Sequence, residues 1–120
     1  MSAANLERVR AVYDQWAVGE FSAGGELFSP EVSFEALTDG RAAIGRDAIP
    51  GYMREFLAQW SEFRIEAEEI ADHGEQVVVT ERQRATGKAS GVATEQTVYA
   101  IWTFRDGEVI RVRWTFEPPD

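Results

Sequence analysis

The sequence predicts an α+β fold, with helices in the first half and one antiparallel sheet of long strands in the second. Three observations predict it. Apolar residues recur at spacings of three and four near the N-terminus (Leu6, Val9, Val12, Tyr13, Trp16), as on one face of a helix. From Phe63 onward the period changes to two, with Phe63, Ile65 and Ala67 set between Arg64 and Glu66. Turn-forming clusters, Asp72-His73-Gly74 and Arg105-Asp106-Gly107, then divide the alternating region into strands.

The first helix is expected over residues 4–18 and is ended by Gly19. FSAGGELF (21–28) reads as a short, glycine-interrupted helical turn that Pro30 stops. Val32 and Phe34 alternate with Ser33 and Glu35, which predicts a short strand before a turn at Asp39-Gly40. A second helix is expected over 47–60, with Asp47 near its N-cap and Pro50 in its first turn. In the following strand the phase slips at Glu68-Glu69, which predicts a bulge before Ile70. Three further strands cover 76–86, 92–105 and 108–116. With no linker, repeat or low-complexity segment, residues 1–120 are expected to form one domain.

The composition, 44% hydrophobic and 28% charged over 120 residues, suits one globular core. Acidic residues outnumber basic ones by 21 to 12, a formal charge of −9, which disfavours nucleic acid or an anionic membrane as partner. A small anionic ligand feels the local field and is not disfavoured. The absence of cysteine excludes disulfides, thiol catalysis and zinc–thiolate sites. His73, the one histidine, is expected in an exposed turn, and no metal site is expected. GKASG (87–91) precedes a strand rather than a helix, so it is no phosphate cradle, and no cofactor is expected. The N-terminus carries charges where a signal peptide needs an apolar run, and no stretch approaches the roughly 18 apolar residues of a membrane span. A cytoplasmic location is the expectation.

A set of short stretches runs the length of the chain: VGEF at the end of the first helix, LFSPEVSFEA, the GRDAI helix start, AQW, DHGEQVVV, the GKASG stretch and VYAIWTFRDGEVIRVRW. Together they resemble the nuclear transport factor 2-like superfamily and, within it, the SnoaL-like group. The resemblance implies a cone-shaped fold, in which a strongly bent sheet wraps around the helices and encloses a pocket. It also implies frequent dimerisation through the sheet's outer face. It does not imply one function, because the superfamily holds isomerases, polyketide cyclases, epoxide hydrolases and non-enzymatic binders.

Spacing against the superfamily's ketosteroid isomerases also phases the strands. Their pocket-facing acid falls at Ala100, so Val98, Ala100, Trp102 and Phe104 face inward. On the last strand Ile110, Val112, Trp114 and Phe116 do the same, leaving Arg111 and Arg113 outside. Counting from DHGE turns Val78, Thr80, Arg82 and Arg84 inward. The isomerases' helix tyrosine falls at Val12, with Tyr13 one residue on and about 100° around the helix, and their base falls at Ala36. All three positions are apolar, so ketosteroid isomerisation is disfavoured. Limonene epoxide hydrolases use an Asp-Arg-Asp set; Arg82 or Arg84 resembles its arginine, but neither acid can be placed.

The candidate pocket therefore comprises Val12, Trp16, Tyr52, Thr80, Arg82, Arg84, Ala100, Trp102, Val112 and Trp114. Arg82 and Arg84 have two readings: a solvated pair on a sheet face, or a clamp for an anion at the pocket mouth. An unpartnered buried guanidinium costs several kcal/mol, so Glu95 or Glu117 would be needed as a partner. The tryptophans and Tyr52 either pack as core or wall a site for an aromatic ligand, with Tyr52 the best single hydroxyl. Val79, Tyr99 and Ile101 would leave an apolar patch on the outer face, which predicts a homodimer. Two functions remain open. One is an isomerase, cyclase or hydrolase acting on a hydrophobic oxygenated metabolite; the other is a non-catalytic ligand-binding or dimeric accessory module.

Overall fold

In a computed structural model, residues 2–119 form two helices and one six-stranded sheet. The elements are α1 (Ser2–Ala17), β1 (Phe28–Ala36), β2 (Arg41–Ile44), α2 (Ile49–Leu57), β3 (Trp60–His73), β4 (Gln76–Gly87), β5 (Ala93–Arg105) and β6 (Glu108–Thr115). Single 3-10 turns, Gly25–Leu27 and Arg46–Ala48, lead into β1 and α2. The strand order is β2-β1-β6-β5-β4-β3. Every pairing is antiparallel except β1 with β6, which is parallel because the whole β2–β5 excursion lies between them. Both helices lie in the sheet's concavity, giving the α+β layout that the strand and helix order predicts and the cone that the resemblance implies.

The spacing in α1 buries Val9, Val12, Tyr13 and Trp16, and the helix packs on β3 and β4. Past its end Gly19 adopts φ +90°, a left-handed conformation that favours glycine. Pro30 does not stop a helix; it lies inside β1, where the register with β6 shifts between Phe28 and Ser33. An irregular strand position is one place where a residue without an N–H is tolerated. The α2 helix is shorter than expected. Its N-cap is Ala48 rather than Asp47, with no side-chain cap bond, and Trp60 already belongs to β3 opposite Gly87. The predicted bulge in β3 is present as a register shift between Ala67 and Glu69.

Two strand phases require correction. On β4 the buried residues are Val77, Val79, Glu81 and Gln83, while Val78, Thr80, Arg82 and Arg84 face out. The pairing with β5 dictates this: Val77, Val79 and Glu81 stand opposite Trp102, Ala100 and Val98, and directly opposed residues share a face. Ion pairing favours it too, since outside the sheet both guanidiniums meet carboxylates. On β6 a register shift opposite Thr103 and Phe104 places Val109 inward and displaces Ile110. Val112 and Trp114 then face inward as expected, but the strand ends at Thr115 and Phe116 is 49% exposed. Among the described residues no helix is long and apolar enough to cross a membrane.

Candidate functional site

A cavity of about 550 Å³ opens between the end of α1, the 21–28 segment, β1 and α2. Its walls are mostly apolar: Trp16, Phe21, Ala23, Phe28, Phe34, Ile49, Met53 and Leu57, with Arg46, Asp47, Arg54 and Ser22 also on the lining. Local sequence holds the walls in place. Gly24, at φ +99°, lies so close to α1 that an added Cβ would stand 3.1 Å from Val12 Cγ2. Trp16 Nε1 donates to the Ala23 carbonyl at 3.2 Å, fastening the segment to the helix. Phe34 packs against Trp114 and Tyr52, and Phe28 stacks on Trp102.

Behind the Trp16 wall lies a buried polar cluster. The Tyr13 hydroxyl donates to Glu81 Oε2, Gln83 Nε2 donates to Glu81 Oε1 at 2.9 Å, and Trp102 Nε1 donates to the Tyr13 hydroxyl at 3.1 Å. Glu81 and Trp102 are wholly buried and Tyr13 nearly so. Burial pushes the Glu81 carboxyl up to about 7, and the donors Tyr13 and Gln83 offset only part of that. Burial and the Glu81 charge likewise raise the Tyr13 phenol well above its usual range. The Trp16 ring centre is 4.9 Å from Tyr13 and 5.8 Å from Trp102, so one ring separates Glu81's partners from the cavity. A smaller polar hollow of about 260 Å³ lies on the other side of Tyr13, against the β3 bulge.

Of the ten residues expected to line a pocket, Trp16 does so. Val12, Ala100, Trp102, Val112 and Trp114 belong to the packed core around it. Tyr52 is buried, but its hydroxyl is engaged by Asp39 Oδ2 at 3.0 Å and its ring lies under Arg41. Thr80, Arg82 and Arg84 lie on the outer face. Arg82 meets Glu68 at 2.8 Å and Glu95 at 3.3 Å; Arg84 meets Glu95 at 2.6 Å and Glu66 at 3.6 Å. Glu95 therefore is a partner, in a solvated cross-strand network. Trp16 and Trp102 find acceptors for their indole N–H groups, whereas those of Trp60 and Trp114 are buried without one.

Sequence reasoning missed Glu81, Gln83, Arg46 and Arg54. The first pair had a signal: Val77, Val79 and Glu81 share one alternation, and pairing Val79 with Ala100 would have put a carboxylate inside. Nothing in the spacing marks Arg46 or Arg54.

A bent sheet wrapped around two helices with a cavity at their junction is the nuclear transport factor 2-like architecture. The SnoaL-like domain family matches residues 9–112, and the chain belongs to it. Solved structures are similar in fold. A nuclear transport factor 2-like protein of unknown function from Burkholderia pseudomallei shares 20% identity with a TM-score of 0.82, over 94% of this chain and 90% of that one. The protein TerC, crystallised with polyporic acid, shares 19% identity with a TM-score of 0.80, over 94% and 91%. A protein of ketosteroid isomerase-like fold from Catenulispora acidiphila, in complex with trimethylamine, shares 17% identity with a TM-score of 0.81, over 92% and 85%. At these identities the likeness is one of fold. No curated protein matches the sequence.

Proposed function

We propose that this single-domain protein binds a hydrophobic, oxygenated small molecule in the cavity between α1, β1 and α2. The observation that carries the reading is the cavity: about 550 Å³, walled by aromatic and aliphatic side chains, with its charged groups on α2 and the turn before it. Ligand sites have this size and polarity. That two fold neighbours were crystallised with small molecules of very different chemistry supports a ligand-holding role without choosing the ligand. Gly25 supplies the test, because it lines the cavity and a Cβ added there meets nothing within 4 Å. Gly25→Leu fills the cavity at little cost to the fold. Hydrophobic fluorophores that quench tryptophan emission of the wild type should bind the variant at least about ten-fold more weakly, the value of filling an apolar subsite. Equal binding by a stably folded variant would remove the cavity from the reading.

A second reading, proton-transfer catalysis by an isomerase, cyclase or hydrolase, is favoured by the Tyr13–Glu81 pair. A carboxyl held near 7 both accepts and releases a proton at neutral pH. From the larger cavity a substrate would reach it on displacement of Trp16, and Tyr13 also borders the smaller polar hollow. Against it, Val12, Ala36 and Ala100 leave the isomerase positions apolar and buried. Turnover that survives Glu81→Gln would dispose of this reading. The outer sheet face, with half-buried Val78, Tyr99 and Ile101 beside the Arg82–Glu95 network, supports a homodimer. Light scattering at micromolar concentration should return twice the 13.5 kDa chain mass.

A further inference from the structure

We infer that the cavity takes an amphipathic anion, with a flat apolar body against Trp16 and Phe28 and a carboxylate, enolate or phenolate held by Arg46 and Arg54. The inference rests on the cavity reading above and adds the charge of the ligand. Its basis is an asymmetry in how the arginines are used. Arg10, Arg41, Arg64, Arg82, Arg84, Arg111 and Arg113 each sit against a carboxylate. Arg8, Arg46, Arg54 and Arg105 have no carboxylate partner among the described residues; Arg8 lies over the Phe104 ring, and of these four Arg46 and Arg54 line this cavity.

Each is placed for the task by its surroundings. Arg46 Nη1 donates to the Phe28 carbonyl at 3.4 Å, a long bond that keeps the guanidinium beside a residue of the cavity wall. Arg54 Nη2 lies 3.7 Å from where a Cβ on Gly51 would stand. Its side chain therefore runs back along α2 toward the Arg46 end, over ground that a larger residue at 51 would occupy. Asp47 also lines the cavity and opposes an anion. Two guanidiniums and one carboxylate leave a local charge of +1 in a chain of formal charge −9. Two donor-rich planar groups beside an apolar chamber match an oxyanion on a hydrophobic frame. A neutral ligand would forgo the charge-assisted part of these hydrogen bonds, and a cation would be repelled by both guanidiniums.

Three probes with one apolar body test this: anthracene-9-carboxylate, its methyl ester and 9-(aminomethyl)anthracene, titrated by equilibrium dialysis. The expected order in the wild type is carboxylate tightest and amine weakest, with the carboxylate at least about ten-fold above the ester, the scale of a charge-assisted hydrogen bond. Arg46→Gln and Arg54→Gln should each cut carboxylate affinity several-fold and narrow the gap between carboxylate and ester, while Arg54→Lys retains part of the preference. Equal binding of ester and carboxylate by the wild type overturns the anion assignment and leaves the cavity reading standing. Tightest binding of the amine overturns it in favour of Asp47. Binding of none of the three overturns both. The wild-type comparison needs no variant to fold.

Discussion

Glu81→Gln isolates the energetic consequence of putting a carboxyl in the core. The folded chain holds the Glu81 proton to about pH 7, whereas the unfolded chain releases it near the ordinary value of 4.5. The folded state therefore binds the proton more tightly, and the resulting stability is full below pH 4.5 and is lost as pH rises through 7. The interval between 4.5 and about 7, at about 1.4 kcal/mol per decade of proton concentration, gives a loss of order 3 kcal/mol between those limits. Glutamine keeps the shape, still accepts from Tyr13, and cannot ionise; Gln83 need only turn its amide to present oxygen instead of nitrogen. Urea unfolding followed by tryptophan fluorescence should show the wild type losing order 3 kcal/mol relative to Glu81→Gln between about pH 5 and 8.5. Taking the difference between the two proteins cancels the repulsion among the other carboxylates. A difference that stays within about 0.5 kcal/mol, or that grows in the opposite direction, would show that Glu81 is hydrated or paired in solution.

Tyr13→Phe removes both the donor to Glu81 and the acceptor of the Trp102 indole. It should cost about 1–3 kcal/mol in urea unfolding and raise the Glu81 pKa further, extending the proton-linked slope to higher pH. Glu35 shows the reverse sign. Bidentate bonding to Arg111, with Ser33 and Arg113, lowers its carboxyl to about 2, so its contribution is present above 4.5 and is lost as pH falls toward 2. Glu35→Gln should therefore flatten the acid limb of thermal unfolding between those values and leave the Glu81 limb unchanged.

The legible part of the molecule was its periodicity. Three-and-four spacing located α1 and its buried face, and alternation located β3 to β6, because each of these elements has one wet side and one dry side. The bulge at Glu68 was visible for the same reason, as a break in an otherwise regular phase. What failed was absolute phase. On β4 both faces mix apolar and polar residues, so alternation alone could not say whether Arg82 or Glu81 goes inside; the hydrogen-bonded neighbour β5 decides. Ile110 was lost to a displacement that only pairing reveals. The resemblance implied a pocket, but its lining was not legible, because the walls come from α1, the 21–28 segment, β1 and α2 together and only Trp16 among the expected residues is on them. Arg46 and Arg54 carry no pattern, and their distinction is to line the cavity without a carboxylate partner.

The parallel pair β1–β6 carries a consequence for the order of assembly. β3 to β6 are joined by short turns and can zip together locally, whereas Phe34 meets Val112 only after the last strand exists. Synthesis from the N-terminus thus leaves β1, one of the three elements that wall the cavity, waiting for the final strand to give it a seat, while α1 packs on β3 and β4. A chain interrupted before Glu108 would retain most of its helix-forming sequence yet have no edge on which β1 can dock. The ligand chamber is then the last feature to form, and the first to open when the C-terminal strand lets go.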